Sequence, residues 1–345
     1  MARSKEIEES RGFTTTVYGR CCLCRRELPE NHSTCACGAA IVQVRLQPKQ
    51  QQLLDLVMQT GPNAPTKLLY GGSRAAGKSR GGRDIALVVT SEVAQTYNGI
   101  SSCIMRRNWT QCEDTHLMKL KAERPELTKF YTNKKYDFPD AMGKPLLAFQ
   151  YADTPQDVER MERGPEWYLM VIDQAEQIKG KDLQKIKSPN RWPSAAQGSA
   201  KSIYLYNPGG PGTQYLRRVG SERKYEGNER PEDFAFIQAY GWDNINWFYN
   251  HGIEINGHPL TWDIFYNELP GDCPELDPKG KHDEKWLAHI PDNHRFKIFV
   301  TQTTEGRSHW EKPESLRMGD LFGRFDSFSG QFFAGVWDEA KVVIR

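Results

Sequence analysis

Short apolar runs separated by polar, helix-forming stretches recur along the chain up to about residue 230. Leu68, Leu69 and Tyr70 form one run; residues 101–105, 148–152, 167–172 and 202–206 form four more. Residues 167–172 are continuously apolar rather than alternating, as parallel strands buried on both faces are. Between the runs, Leu53, Leu54, Val57 and Met58 follow a helical spacing, and residues 80–94 read as a helix, although Gly81 and Gly82 weaken its first turn. Strands alternating with helices predict an α/β fold, a mostly parallel sheet flanked by helices with its site at the strand C-termini. Beyond residue 230 the pattern changes. Residues 231–278 hold ten aromatics, nine Asp/Glu and no Lys or Arg. The expected partition is an N-terminal arm over 1–40, a core over 41–230, and a lid or linker subdomain over 231–345. Residues 231–278 offer no catalytic pattern and read as a small lid or a partner surface. No internal repeat or low-complexity linker interrupts the chain.

Composition narrows the classes. With 38% hydrophobic residues in 345 there is material for a sizeable core, so wholesale disorder is excluded. No run of 18 apolar residues occurs, so no membrane span is expected. The N-terminus lacks an apolar signal segment, so the eight cysteines are expected in a reducing compartment. Five of them fall within 17 residues, which favours a metal over disulfides. Cys21, Cys24, Cys35 and Cys37 give C-x2-C-x10-C-x-C, a set able to hold a structural zinc, with Cys22 and His32 as spare donors. A reduced, metal-free loop is the alternative. Four thiolates leave no open position, so a catalytic zinc is not expected. The knuckle reads as a docking element for a partner or nucleic acid. Net charge is only +2, yet residues 41–83 carry seven Lys/Arg against one Asp. A basic half and an acidic segment imply separate binding surfaces.

The most informative stretch is Gly72, Ser73, Arg74, Ala75, Ala76, Gly77, Lys78 and Ser79, which fits G-x4-G-K-[ST] between a strand and a helix. Backbone N–H groups of such a loop surround phosphates, Lys78 reaches the β- and γ-phosphates, and the Ser79 hydroxyl holds Mg2+. Its acidic partner is Asp173, at the end of the 167–172 run. ATPases that hydrolyse usually place Glu next, as general base; here it is Gln174, which cannot accept a proton. Three readings stand: a Glu→Gln replacement that traps nucleotide, a natural Gln assisted by Glu176 or by water positioning alone, and a site that binds without hydrolysing. Gln47 or Gln50 is placed to read an adenine edge, or to face solvent at a helix start. Asn207, after the 202–206 strand, is the candidate γ-phosphate sensor. Arg106 and Arg107 leave a strand where they reach phosphates of nucleotide or DNA, or else stand solvated. Arg160 and Arg163 are candidates to stabilise developing charge, in cis or in a neighbouring subunit, or to pair with Glu159, Glu162 or Glu166. Residues 104–135 hold eight Lys/Arg against four acids with Trp109, Phe130 and Tyr131 interleaved, which suits nucleic-acid backbone contact or a plain helix surface.

Taken in order, these pieces resemble the large subunit of tailed-phage terminases, the DNA-packaging motor. The resemblance covers roughly residues 45–335. It rests on residues 46–51, Gly72–Ser79 with its internal Arg74, residues 104–107 followed by Glu113 and Asp114, residues 157–160, residues 172–177, and residues 207–212. It closes with residues 323–326 and 330–333. The resemblance implies an ATPase domain of the additional-strand P-loop class with a small lid subdomain, using ATP with Mg2+ beside the structural Zn2+ read above. It implies Arg74 as the loop's arginine, and Arg163, with Arg160 second, as a finger acting across subunits. The implied partners are double-stranded DNA, a portal protein, a small terminase subunit and further copies in a homo-oligomeric ring, taken as a pentamer. The implied place of action is the host cytoplasm during virion assembly, with no membrane. The family normally continues into a nuclease domain. No later cluster of strand-borne carboxylates is visible, so the expectation is an isolated ATPase domain, truncated or naturally split. The departure from the family is Gln174. The rival readings are another nucleic-acid-dependent P-loop ATPase such as a helicase, and a non-hydrolysing nucleotide- and zinc-binding scaffold.

Overall fold

The computed structural model describes residues 13–17, 20–21, 40–93, 96–97, 99–138, 145–164, 166–186, 190–276 and 282–324, with side chains from residue 44 onward. The chain divides into two units, one of residues 1–70, 78–206 and 210–237, the other of 71–77, 207–209 and 238 onward. In the first, β1 (Phe13–Val17), β2 (Arg20–Cys21) and β3 (Ala40–Val44) make a small sheet of order β2-β1-β3. The side chains of Cys21, Cys24, Cys35 and Cys37, the expected zinc set, lie outside the described residues.

The main sheet takes β4 (Lys67–Gly72), β5 (Ser101–Arg106), β6 (Tyr131–Thr132), β7 (Lys135–Asp137), β8 (Leu146–Tyr151), β9 (Leu169–Asp173), β10 (Lys201–Tyr206) and β11 (Phe234–Ala239). Their order is β11-β4-β10-β9-β5-β8-β7-β6. The pairs β10–β9, β9–β5 and β5–β8 are parallel; β8–β7 and β7–β6 are antiparallel. β9 and β10 are buried along their whole length, as their unbroken apolar sequences require. Two consequences of this order set the site. One strand, β10, separates the strand before the phosphate loop from the strand that ends in Asp173. Across β5–β9, Met105 pairs with Ile172, so the next residues, Arg106 and Asp173, emerge side by side.

The helices of this unit are α1 (Pro48–Met58), α2 (Lys78–Val93), α3 (Trp109–Cys112), α4 (Met118–Glu123), α5 (Pro155–Glu162), α6 (Gly180–Ile186) and α7 (Thr213–Val219). α2 is buried on nearly every side. Its two early glycines, weak helix formers, are explained by packing. A Cβ on Gly81 would lie 2.9 Å from the Gln50 side chain, and one on Gly82 would lie 2.6 Å from Leu205 Cδ1 and 2.9 Å from Val171 Cγ1. Glycine here lets α2 lie against α1 and against β9 and β10.

The second unit carries the two-stranded β12 (Glu254–Ile255) and β13 (His258–Pro259), and the helices α8 (Ile245–Asn250), α9 (Glu284–Ala288), α10 (Arg295–Gln302), α11 (Thr304–Trp310) and α12 (Glu314–Asp320). The aromatics of the acidic segment supply its core: Trp242, Phe248 and Phe265 are fully buried with Phe296, Phe299 and Phe322. Edge-to-face pairs such as Phe248–Phe265, 4.7 Å between centroids, fix their orientation. Among the described residues no helix is long and apolar enough to cross a membrane.

The close approach of α2 makes one prediction. Gly82→Ala should overpack the helix–sheet contact and lower stability by about 1–3 kcal/mol, read from the urea midpoint. An unchanged midpoint would show that this contact is slack.

Candidate active site

Ser79 stands in the first turn of α2, and its hydroxyl donates to Asp173 Oδ1 at 2.9 Å. The other carboxylate oxygen, Oδ2, accepts from Arg106 Nε at 2.7 Å and from His116 Nε2 at 2.9 Å; Arg106 Nη2 lies 2.6 Å from the same oxygen. The strand register brings Arg106 there. A π-helical segment, Glu113–Leu117, brings His116. Its wider turn rotates the residues between α3 and α4, and such bulges recur at functional positions. Arg83 of α2 fixes this segment, donating to the Thr115 carbonyl at 3.1 Å and to Glu123 at 2.8 Å.

The cluster is nearly dry: Asp173 is 3% exposed, Arg106 7% and His116 0%. Burial alone would raise the Asp173 carboxyl, but the His116 hydrogen bond and the Arg106 guanidinium hold it well below the usual carboxylate range. For His116 the balance goes the other way. Burial lowers its basicity more than Asp173 raises it. Its Nδ1 is buried with no hydrogen-bond partner. A neutral ring with its proton on Nε2 tolerates that; an imidazolium would bury an unpaired N–H. His116 is therefore a neutral donor and Arg106 the counter-charge.

Hard oxygen donors of this kind suit Mg2+, which takes few protein ligands and keeps several waters. Ser79 Oγ and Asp173 Oδ1 are the residues that would hold it.

The phosphate-loop residues 71–77 belong to the second unit, and their backbone is held from there. Ser73 N–H donates to the Ala239 carbonyl at 2.9 Å and Arg74 N–H to the Asp320 carbonyl at 2.8 Å. The Ala75 carbonyl accepts from Asn244 Nδ2 at 2.9 Å and from Trp247 Nε1 at 2.7 Å. Gly72 (φ 134°), Ala75 (φ 63°) and Gly77 (φ 72°) take left-handed conformations. A Cβ on Gly72 would lie 2.1 Å from the Ala239 carbonyl oxygen, so only glycine fits. Arg74 reaches Asp320 at 2.7 Å while its side chain stays 56% exposed. Burial opposes ionisation of Asp320, but His309, Lys312 and Arg74 hold its carboxyl well below the usual range.

The remaining expected residues fall as follows. Lys78 and Ala76 are buried. Gln47 and Gln50 are buried too, 6% and 4% exposed, which removes the solvent-facing alternative. Gln50 Oε1 accepts from the Gln47 N–H at 3.0 Å, so that amide is already oriented. Gln174 has φ 52° and a buried Oε1 without a hydrogen-bond partner. Glu176 is buried beside Gly210. Asn207 directly follows β10, and its Oδ1 is buried and makes no hydrogen bond. Arg160 is tied to Gln150 at 2.8 Å and to the Tyr151 carbonyl at 2.9 Å, with its guanidinium over the Tyr151 ring. Arg163 is 78% exposed and pairs with Glu159 at 2.9 Å.

Arg106 needs one correction: it is not a solvated arginine but lies buried against Asp173, whose carboxylate requires a counter-charge. Arg107 is the exposed member of the pair and meets Asp153 at 2.9 Å. Sequence reasoning missed His116. The available signal was its place four residues from both Cys112 and Leu120, a polar ring on an apolar helical face. Among the described residues no group of three or more His, Cys, Asp or Glu could hold a metal.

No protein-family model and no curated protein matches the sequence. Comparison with solved structures finds large terminases of several phages, among them one ATPase domain. The large terminase of the thermophilic bacteriophage D6E in complex with ADP overlaps with a TM-score of 0.43 and 13% identity, over 61% of this chain and 51% of that one. The bacteriophage HK97 large terminase gives 0.40 and 13%, over 61% and 42%. The Thermus phage P74-26 large terminase ATPase domain gives 0.35 and 16%, over 62% and 95%. The overlap thus spans about half or less of the D6E and HK97 chains. Likeness of this degree is partial overlap and assigns no activity.

The buried neutral histidine sets a pH dependence. Its folded pKa lies below the ordinary value near 6.5, so the unfolded chain takes up a proton that the folded chain refuses. Stability should fall as pH drops through that value, by up to about 1.4 kcal/mol per pH unit. Asp173 adds a loss only in more acid solution, below about pH 4, because its folded pKa is lowered. His116→Gln, which keeps a donor, should remove one proton's share of the slope between pH 7.5 and 5.5 in urea denaturation. An identical slope would contradict the neutral assignment.

Proposed function

We propose that the chain is a P-loop ATPase of the additional-strand class, the motor domain of a viral terminase large subunit that couples ATP hydrolysis to packaging of double-stranded DNA into a procapsid. The observation that carries the nucleotide reading is the 2.9 Å hydrogen bond from Ser79, the last residue of the phosphate-loop motif, to Asp173 at the end of a buried parallel strand. The strand β10 between β4 and β9 supports the class. The order of sequence motifs supports the terminase reading.

In this reading the backbone of Gly72–Ser79 cradles the phosphates, Lys78 neutralises the β- and γ-groups, and Ser79 and Asp173 hold Mg2+. The metal, when bound, neutralises charge on the phosphates. Arg106 and His116 keep Asp173 ionised and fixed. Gln47 and Gln50 serve the adenine edge. Gln174 orients the attacking water through its uncommitted Oε1 but takes no proton. Asn207 senses the γ-phosphate, and residues 231–345 serve as the lid or linker subdomain. Arg163, exposed and held by one surface carboxylate, is the finger offered to a neighbouring subunit; Arg160 is held in place, and Arg74 braces the loop. The partners are double-stranded DNA, a portal protein, a small terminase subunit and further copies in a pentameric ring, in the host cytoplasm. A zinc on Cys21, Cys24, Cys35 and Cys37 would staple the N-terminal arm.

One observation favours a second reading, a binder that does not hydrolyse: the left-handed Gln174 at the base position. ATP turnover at high protein concentration, beside Gln174→Glu, separates the two. The motor reading expects the variant to be faster by roughly 10²–10⁴, the contribution of a general base. Silence in both, with MgATP bound, would support the binder.

A further inference from the structure

We infer that Asn244 and Trp247 are positioning residues that aim a phosphate-loop N–H at the nucleotide. The inference deepens the nucleotide reading above and rests on it. The Ala75 oxygen accepts two hydrogen bonds, from Asn244 Nδ2 at 2.9 Å and from Trp247 Nε1 at 2.7 Å. Two donors occupy both of its lone pairs. The peptide unit is planar and trans, so the Ala75 carbonyl and the Ala76 N–H point in opposite directions from the same plane. Holding the oxygen against α8 therefore turns the Ala76 N–H the other way.

That N–H matters because earlier donors of the loop are already given to protein. Ser73 N–H is bonded to Ala239 and Arg74 N–H to Asp320. The Ser73 hydroxyl accepts from the Gly241 N–H. The left-handed φ of Ala75, 63°, is uncommon in residues other than glycine. The two side-chain donors hold the carbonyl of that same residue.

The donors are themselves fixed. Asn244 precedes α8, is 6% exposed, and its Oδ1 accepts from Asn246 N at 3.3 Å and from Asn246 Nδ2 at 3.1 Å. The amide is thereby oriented with Nδ2 toward Ala75. The Trp247 ring packs against the aromatic core that includes Phe248 and Phe299. The peptide plane of the loop is thus tied to an aromatic core to which the acidic segment contributes Trp242, Phe248 and Phe265. Phosphate binding and the packing of α8 are then coupled through one carbonyl, in both directions.

The test is calorimetric titration of MgATP into the wild-type chain, Trp247→Phe and Asn244→Ala, with urea midpoints as the control for folding. Trp247→Phe keeps the ring and removes the donor. Each variant should weaken MgATP by about tenfold, the loss expected when a hydrogen bond to a charged group is misaligned. In wild-type protein the indole N–H resonance absent from Trp247→Phe should shift on adding MgATP and stay still with Mg2+ alone. A merely structural role would lower the urea midpoint and leave affinity and resonance unmoved. If wild-type protein does not bind MgATP, the nucleotide reading fails and this inference with it. If it binds, while both variants bind as tightly and the resonance is still, the positioning role is wrong and the nucleotide reading stands. Should a variant not fold, the wild-type resonance decides alone.

Discussion

A carboxylate that must stay ionised away from water governs the architecture of the first unit. Asp173 ends a strand buried on both faces, where an unpaired charge would be prohibitively unfavourable. Its negative charge persists because one full positive charge and two neutral donors converge on it. Arg106 arrives through the parallel register of β5 and β9. Ser79 arrives because α2 begins where the phosphate loop ends, and Gly82 lets that helix settle against Leu205 and Val171. His116 arrives through the π-helical segment that Arg83 secures. Removing Arg106 would leave the Asp173 charge buried and uncompensated, whereas losing Ser79 or His116 would remove one hydrogen bond from it.

The phosphate loop obeys a different constraint. If it binds phosphate as proposed, its backbone exposes N–H groups on one side and so disposes of carbonyls and conformational strain on the other. The second unit meets that need with Ala239, Gly241, Asn244, Trp247 and Asp320. The charge pattern of the sequence gains a partial meaning here. Asp320 takes Arg74 and Lys312, while the aromatics of the acidic segment turn inward to form a core. The segment read from sequence as a lid or a partner surface supplies donors that brace the loop.

Sequence exposed the parts of the site whose chemistry demands particular residues at short, fixed spacing. Gly72, Gly77, Lys78 and Ser79 stand out in the sequence because the proposed phosphate cradle needs glycines and a lysine at set positions. Asp173 is legible because an acid ends an otherwise apolar run. The strand-helix alternation likewise disclosed the parallel sheet. Contacts that depend on register or on distant chain were not legible. Arg106 meets Asp173 across 67 positions, and His116 across 57. Asn244 and Trp247 lie 169 and 172 positions from Ala75, with nothing local to announce the pairing. The burial of Gln47 and Gln50 also escaped, because a helix start carries no mark of what packs over it.

The claim on which the account depends is that Gly72–Ser79 holds nucleotide phosphate. Equilibrium binding of MgATP to wild-type protein and to Lys78→Ala tests it most directly. If the loop holds phosphate, MgATP binds measurably and Lys78→Ala weakens it by roughly tenfold to a hundredfold, the range for a lost charge-assisted hydrogen bond. Equal affinity in the two proteins, or no binding in either, would contradict it.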